Sequence, residues 1–84
     1  MMWFDYTTTA GVLIHYTGFD GSEHDYKANY ILPQEVVRLV ASIADSNNIS
    51  EITCAGIAYD LKDAVKQELA RTYKNTNVVF NKAE

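Results

Sequence analysis

The chain has 84 residues, of which 48% are hydrophobic and 21% charged, with a net charge of −4 and a single cysteine. These values describe one globular domain over residues 1–84 rather than a disordered chain, and no apolar run approaches the ~20 residues of a membrane span. The acidity belongs to the first half, where six acids face two bases through Asn48 and five of each follow; a domain so charged lacks the Lys/Arg cluster that direct nucleic-acid binding requires.

The elements follow in chain order. Met2, Phe4 and Tyr6 alternate with Trp3, Asp5 and Thr7, and Val12, Ile14 and Tyr16 alternate with Leu13, His15 and Thr17, which is the period of half-buried strands. Ala10-Gly11 punctuates these two. Gly18 through Ser22, with its Asp20-Gly21 pair, separates the second from a third strand over Tyr26, Ala28 and Tyr30, so the first three strands form antiparallel hairpins. Pro33 opens a helix, where its missing N–H costs nothing, and Val36, Val37, Val40, Ile43 and Ala44 give that helix an apolar stripe ending at Asn47-Asn48. Ile49–Ile57 is an apolar run of strand length, Asp60–Lys74 is amphipathic with Asp60 as N-cap and Leu61, Ala64, Val65, Leu69 and Tyr73 facing the core, and Asn77–Phe80 is a short β-branched strand. The last three elements make one βαβ unit, whose strands pair in parallel. The expected fold is therefore a single α/β domain bordering on α+β, of order β-β-β-α-β-α-β, with a mixed sheet and two helices.

That order resembles the ribonuclease-H-like superfold, which also builds each half of actin-like ATPases. In its nuclease branch, carboxylates on the first strand, the first helix and the end of the fourth strand hold two metal ions, and Asp5, Glu35 and Asp60 stand in roughly those places. The resemblance thus implies Mg²⁺ or Mn²⁺ held by these acids and hydrolysis of a phosphodiester. In the actin-like branch a strand-turn-strand cradles phosphates, and Asp5-Tyr6-Thr7-Thr8-Thr9-Ala10-Gly11 is similar to it. Each acid also has an ordinary explanation: Asp60 as a helix cap, Glu35 as a first-turn acid favoured by the helix dipole, and Asp5 as an outward strand residue.

Two other constellations stand out. Asp20, Glu23 and Asp25, with His24 among them, could chelate a divalent ion from a tight turn, although polar turns also use acids for solubility and for hydrogen bonds to their own backbone. Seven of the ten aromatics fall in the first thirty residues, more than one face of three short strands needs. Trp3, Tyr6, Tyr16, Tyr26 and Tyr30 are the candidates for a partner-binding surface, which in an acidic half-chain suits a basic protein surface. An edge strand could also pair with a second copy and give a homodimer. Cys54 sits in an apolar strand, where a thiol behaves as a small hydrophobe. Met1 to Asp5 shows no basic region leading into an apolar segment, so a reducing cytoplasm is the expected compartment. The function expected is that of a non-enzymatic interaction module, an accessory or phage-encoded inhibitor or adaptor by its size and acidity; the alternative is a metal-dependent nuclease using Asp5, Glu35 and Asp60.

Overall fold

Residues 1–29 and 32–83 are described by the computed structural model. The elements are β1 (Met2–Thr7), β2 (Gly11–Thr17), β3 (Glu23–Ala28), α1 (Pro33–Ser46), β4 (Glu51–Cys54), α2 (Ile57–Asp60), α3 (Lys62–Thr72) and β5 (Val79–Lys82). All five strands join one sheet in the order β3-β2-β1-β4-β5. β1 pairs antiparallel with β2 and β2 with β3, whereas β1 with β4 and β4 with β5 are parallel. The expected order and mixed sheet are present, with one more short helix. Tyr30, expected in the third strand, lies outside the described residues.

The alternation in β1 decides where the core forms. Met2 and Phe4 are fully buried and Tyr6 nearly so, joined by Val12 and Ile14 of β2 and Ile52 and Cys54 of β4. Val36, Val40 and Ala44 of α1, Ala58 of α2, and Val65 and Leu69 of α3 complete the same cluster. All three helices therefore cover one face of the sheet. Burying a side chain such as Phe4 or Ile14 stabilises the fold by roughly 1.5–3 kcal/mol, which is why the period-two pattern overrides any local preference.

α1 begins at Pro33 and stops at the two asparagines, as expected. Asn48 takes a left-handed backbone (φ 52°), which asparagine tolerates better than most residues. The Asn48 N–H then reaches the Asp45 carbonyl and the Ile49 N–H reaches the Ala44 carbonyl, a Schellman stop closed by the buried Ile49. Ile49 is thus consumed by the helix end, and β4 is shorter than the expected Ile49–Ile57.

The second helical region differs more. Asp60 is not the N-cap of a long helix: the chain turns at Gly56, α2 runs to Asp60, and Leu61 interrupts before α3 begins. The reason is burial. Ala58 is fully enclosed where α2 packs on β1, so the helix starts earlier than its polar stretch suggests. In α3 the exposed Ala64 is off the core face, and Glu68, only 7% exposed, lies on it. β5 starts two residues later than expected, because the Val79 N–H makes the first bond to β4 through the Ser50 carbonyl. Ahead of it, the Asp45 carboxylate accepts the Lys74 and Asn75 N–H groups, and the Asn75 amide donates to the Ala44 and Ile49 carbonyls. This polar staple ties the end of α1 to the loop before β5.

β3 is an edge strand whose side chains are exposed apart from the half-buried Ala28. It approaches β2 closely at Gly11 (φ +101°), where a Cβ would overlap the Ala28 carbonyl oxygen and lie 2.8 Å from the Asn29 Cα. Gly21 also has a positive φ (+87°), but open space surrounds it. Gly11→Ala should therefore cost at least about 3 kcal/mol from strain plus overlap, and Gly21→Ala about 1 kcal/mol from strain alone. Urea unfolding of both variants checks this ordering, which equal losses would contradict.

Candidate protein-binding face

The face of the sheet turned away from the helices is uncovered among the described residues. The register sets Asp25, His15, Trp3, Thr53 and Asn81 in one row across all five strands. Lys27, Leu13 and Asp5 form the row beside it, and Glu23 with Thr17 and Glu51 with Val79 lie toward the other end. Trp3 is half-buried at the centre. Around it stand the carboxylates of Asp5, Glu23, Asp25 and Glu51 against one lysine, Lys27, so the face is acidic while His15 is neutral.

His15 is the organised group on this face. Its Nδ1 lies 2.5 Å from Asp25 Oδ1 and its Nε2 lies 3.8 Å from Glu23 Oε1. The hydrogen bond to Asp25, helped by the charges of Asp25 and Glu23, raises the His15 pKa above its ordinary 6.5. All three side chains remain open to water, with 46% of His15, 66% of Asp25 and 74% of Glu23 exposed. An exposed cross-strand pair of this kind adds little stability, but it fixes where the carboxylates point.

The aromatic candidates do not share this surface. Tyr6 is 3% exposed and belongs to the core, so it is withdrawn from the partner-binding set. Tyr16 points to the helix side, where it stacks on His24 with ring centroids 5.2 Å apart, and Tyr26 lies on that side too, 38% exposed at the edge. Trp3 alone belongs to the bare face. The deciding signal was parity: Trp3 shares its phase with Asp5, Leu13 and His15, while Tyr6, Tyr16 and Tyr26 share theirs with Phe4 and Ile14.

Asp20, Glu23 and Asp25 are likewise dispersed. Asp20 accepts both the N–H and the hydroxyl of Ser22 within the turn, which holds its carboxyl below the usual range, whereas Glu23 and Asp25 turn to His15. His24 Nε2 lies 2.7 Å from the Ser22 hydroxyl. Here the acid contacts the hydroxyl rather than the imidazole, the reverse of the order that activates a serine nucleophile. Asp5, Glu35 and Asp60 are separated by the sheet itself, Asp5 on the bare face and the other two on helices behind it. Among the described residues no three His, Cys, Asp or Glu side chains are placed to hold a metal ion. In the β1–β2 turn, the Thr7 hydroxyl accepts the Ala10 N–H, and Gly11 serves the approach of β3. Burial pushes the Cys54 thiol up, which leaves it a poor nucleophile.

No protein-family model, curated protein or solved structure matches the chain. No helix among the described residues is long and apolar enough to cross a membrane.

The His15 assignment is testable by its titration. The ring should titrate above 6.5 in NMR, and Asp25→Asn should bring it down. Because the folded value is raised, the stability this pair gives is fully present below the unfolded pKa and is lost as pH rises through the folded one. The stability gap between the wild type and Asp25→Asn should therefore narrow above that point, whereas an unchanged His15 titration in the variant would show the pair is not formed.

Proposed function

We propose that the chain is a small, acidic, non-enzymatic interaction module of the accessory or inhibitor kind, which binds a basic surface of a partner protein through its bare sheet face. The observation that carries this reading is Trp3, half-buried at the centre of an uncovered sheet and ringed by Asp5, Glu23, Asp25 and Glu51. Tryptophan supplies a large, rigid contact area and a π-face that attracts guanidinium and ammonium groups. Carboxylates around it steer such groups in and discriminate against acidic partners.

The face is preferred to the edges as the docking surface. β3 shows Glu23, His24, Asp25, Tyr26 and Lys27 to solvent, and charges on an edge strand are the usual guard against pairing with another chain. Homodimerisation through strand pairing is accordingly not part of this reading. The ribonuclease-H-like resemblance stands as a proposal about element order, and its metal chemistry is not carried over, since Asp5 lies across the sheet from Glu35 and Asp60.

Random peptides displayed on phage and selected on the immobilised domain test the proposal without a known partner. Selected sequences should be rich in Arg and Lys, and Trp3→Ala should weaken their binding at least about tenfold, or ~1.4 kcal/mol. Enrichment of acidic peptides, or equal binding to Trp3→Ala, would contradict the assignment.

A further inference from the structure

A second surface lies in the helix layer and goes beyond the reading of the sheet face. Between α1 and α3 runs an open groove of about 420 Å³, a volume typical of binding sites. Val37, Leu61 and Ala64 supply its apolar lining, and Arg38 enters from α1 while Glu68 and Arg71 enter from α3.

The charges there do not cancel. Glu68 is 7% exposed, and its two carboxylate oxygens lie 2.5 and 2.9 Å from one nitrogen of Arg71, Nη2, with the Thr72 hydroxyl donating at 3.1 Å. The hydrogen bond from Arg71 keeps the Glu68 carboxyl below the ordinary range, so it is ionised at neutral pH. It balances one guanidinium. Arg38 makes no hydrogen bond or salt bridge among the described residues and acts on Glu68 through its charge alone, so two guanidiniums share one carboxylate and the groove keeps a surplus positive charge in a chain of net −4. A guanidinium beside an apolar strip matches a carboxylate carried on an apolar body. The shape matches a helix: Ala64, Glu68 and Arg71 recur at helical spacing along α3, with Leu61 just ahead of its first residue, and a valley between two helices accepts the apolar stripe of a third.

We infer that the groove between α1 and α3 docks an acidic amphipathic helix of a partner protein, its apolar stripe on Val37, Leu61 and Ala64 and its carboxylates on Arg38 and Arg71. Charge excludes the basic helix that would suit the sheet face, so the two surfaces take partners of opposite sign, and either assignment can fail without the other.

Two synthetic amphipathic helices of about 14 residues, with the same leucine stripe and either Glu or Lys beside it, serve as probes against the ¹⁵N-labelled domain. The Glu helix should give saturable amide shifts centred on Val37, Arg38, Leu61 and Ala64, and the Lys helix should not. Arg38→Glu should weaken the Glu helix at least about tenfold and admit the Lys helix in its place. Arg71→Gln, which leaves Glu68 an amide donor, should weaken the Glu helix too, with the amide spectrum confirming that each variant is folded. Equal shifts from both helices, shifts centred elsewhere, or no saturation would overturn the inference. Decanoate is the control for a free amphiphile: shifts of the groove amides by decanoate but not by the Glu helix would also overturn it.

Discussion

The structure depends on the one-sided burial of β1. This strand is the middle of the sheet, antiparallel to β2 on one side and parallel to β4 on the other, and Met2, Phe4 and Tyr6 all point into the helix layer. The side-chain period of a strand is two, so placing these residues inside places Trp3, Asp5 and Thr7 outside. A slip of one residue would bury Asp5 unpaired and expose Phe4, an exchange that the core cannot tolerate. Register in β1 then propagates through hydrogen bonding to β2 and β3, which carries His15 and Asp25 to the same outer face as Trp3. The bare face is thus a consequence of how the core is built.

Charge follows the same division. Among residues of the sheet, the acids Asp5, Glu23, Asp25 and Glu51 collect on the outer face, while Lys62 and Lys82 lie over the Tyr59 ring and Lys66 over Phe80 on the helix side. The chain is acidic overall, and most of that net charge sits on the sheet face, because in the helices Glu35, Asp45, Asp60, Asp63 and Glu68 are nearly balanced by Arg38, Lys62, Lys66 and Arg71. This arrangement gives a small domain two surfaces of different electrostatic character, and surfaces of that kind set association rate and partner choice more than they set affinity.

Element order was legible in the sequence because the signals for it are local. The alternation of β1 and β2, the Pro33 start, and the asparagine stop of α1 each rest on a few neighbouring residues with a strong stereochemical preference. The start of the second helical region was less so: Ala58 is helical because it packs on β1, a tertiary fact to which the polar spacing after Asp60 gives no clue. The candidate site was legible only in part. Counting aromatics grouped Tyr6, Tyr16 and Tyr26 with Trp3, whereas strand parity separates them, and that parity could have been read from the same residues. The His15–Asp25 pair required the β2–β3 register, which the turn between Gly18 and Ser22 determines through backbone bonds such as that from the Gly18 N–H to the Ser22 carbonyl. The separation of Asp5 from Glu35 and Asp60 followed from which face the helices cover, and element order does not encode that.

Trp3 is the only tryptophan in the chain, so its fluorescence reports directly on the centre of the bare face. The decisive measurement is quenching by caesium, iodide and neutral acrylamide at matched low ionic strength, each scaled to its effect on free N-acetyltryptophanamide. An uncovered acidic face predicts that acrylamide reaches Trp3 and that caesium quenches it more than iodide, with the gap closing as salt shortens the Debye length toward about 8 Å. Quenching by iodide equal to or above that by caesium would contradict the acidic face, and protection from all three would contradict its being uncovered.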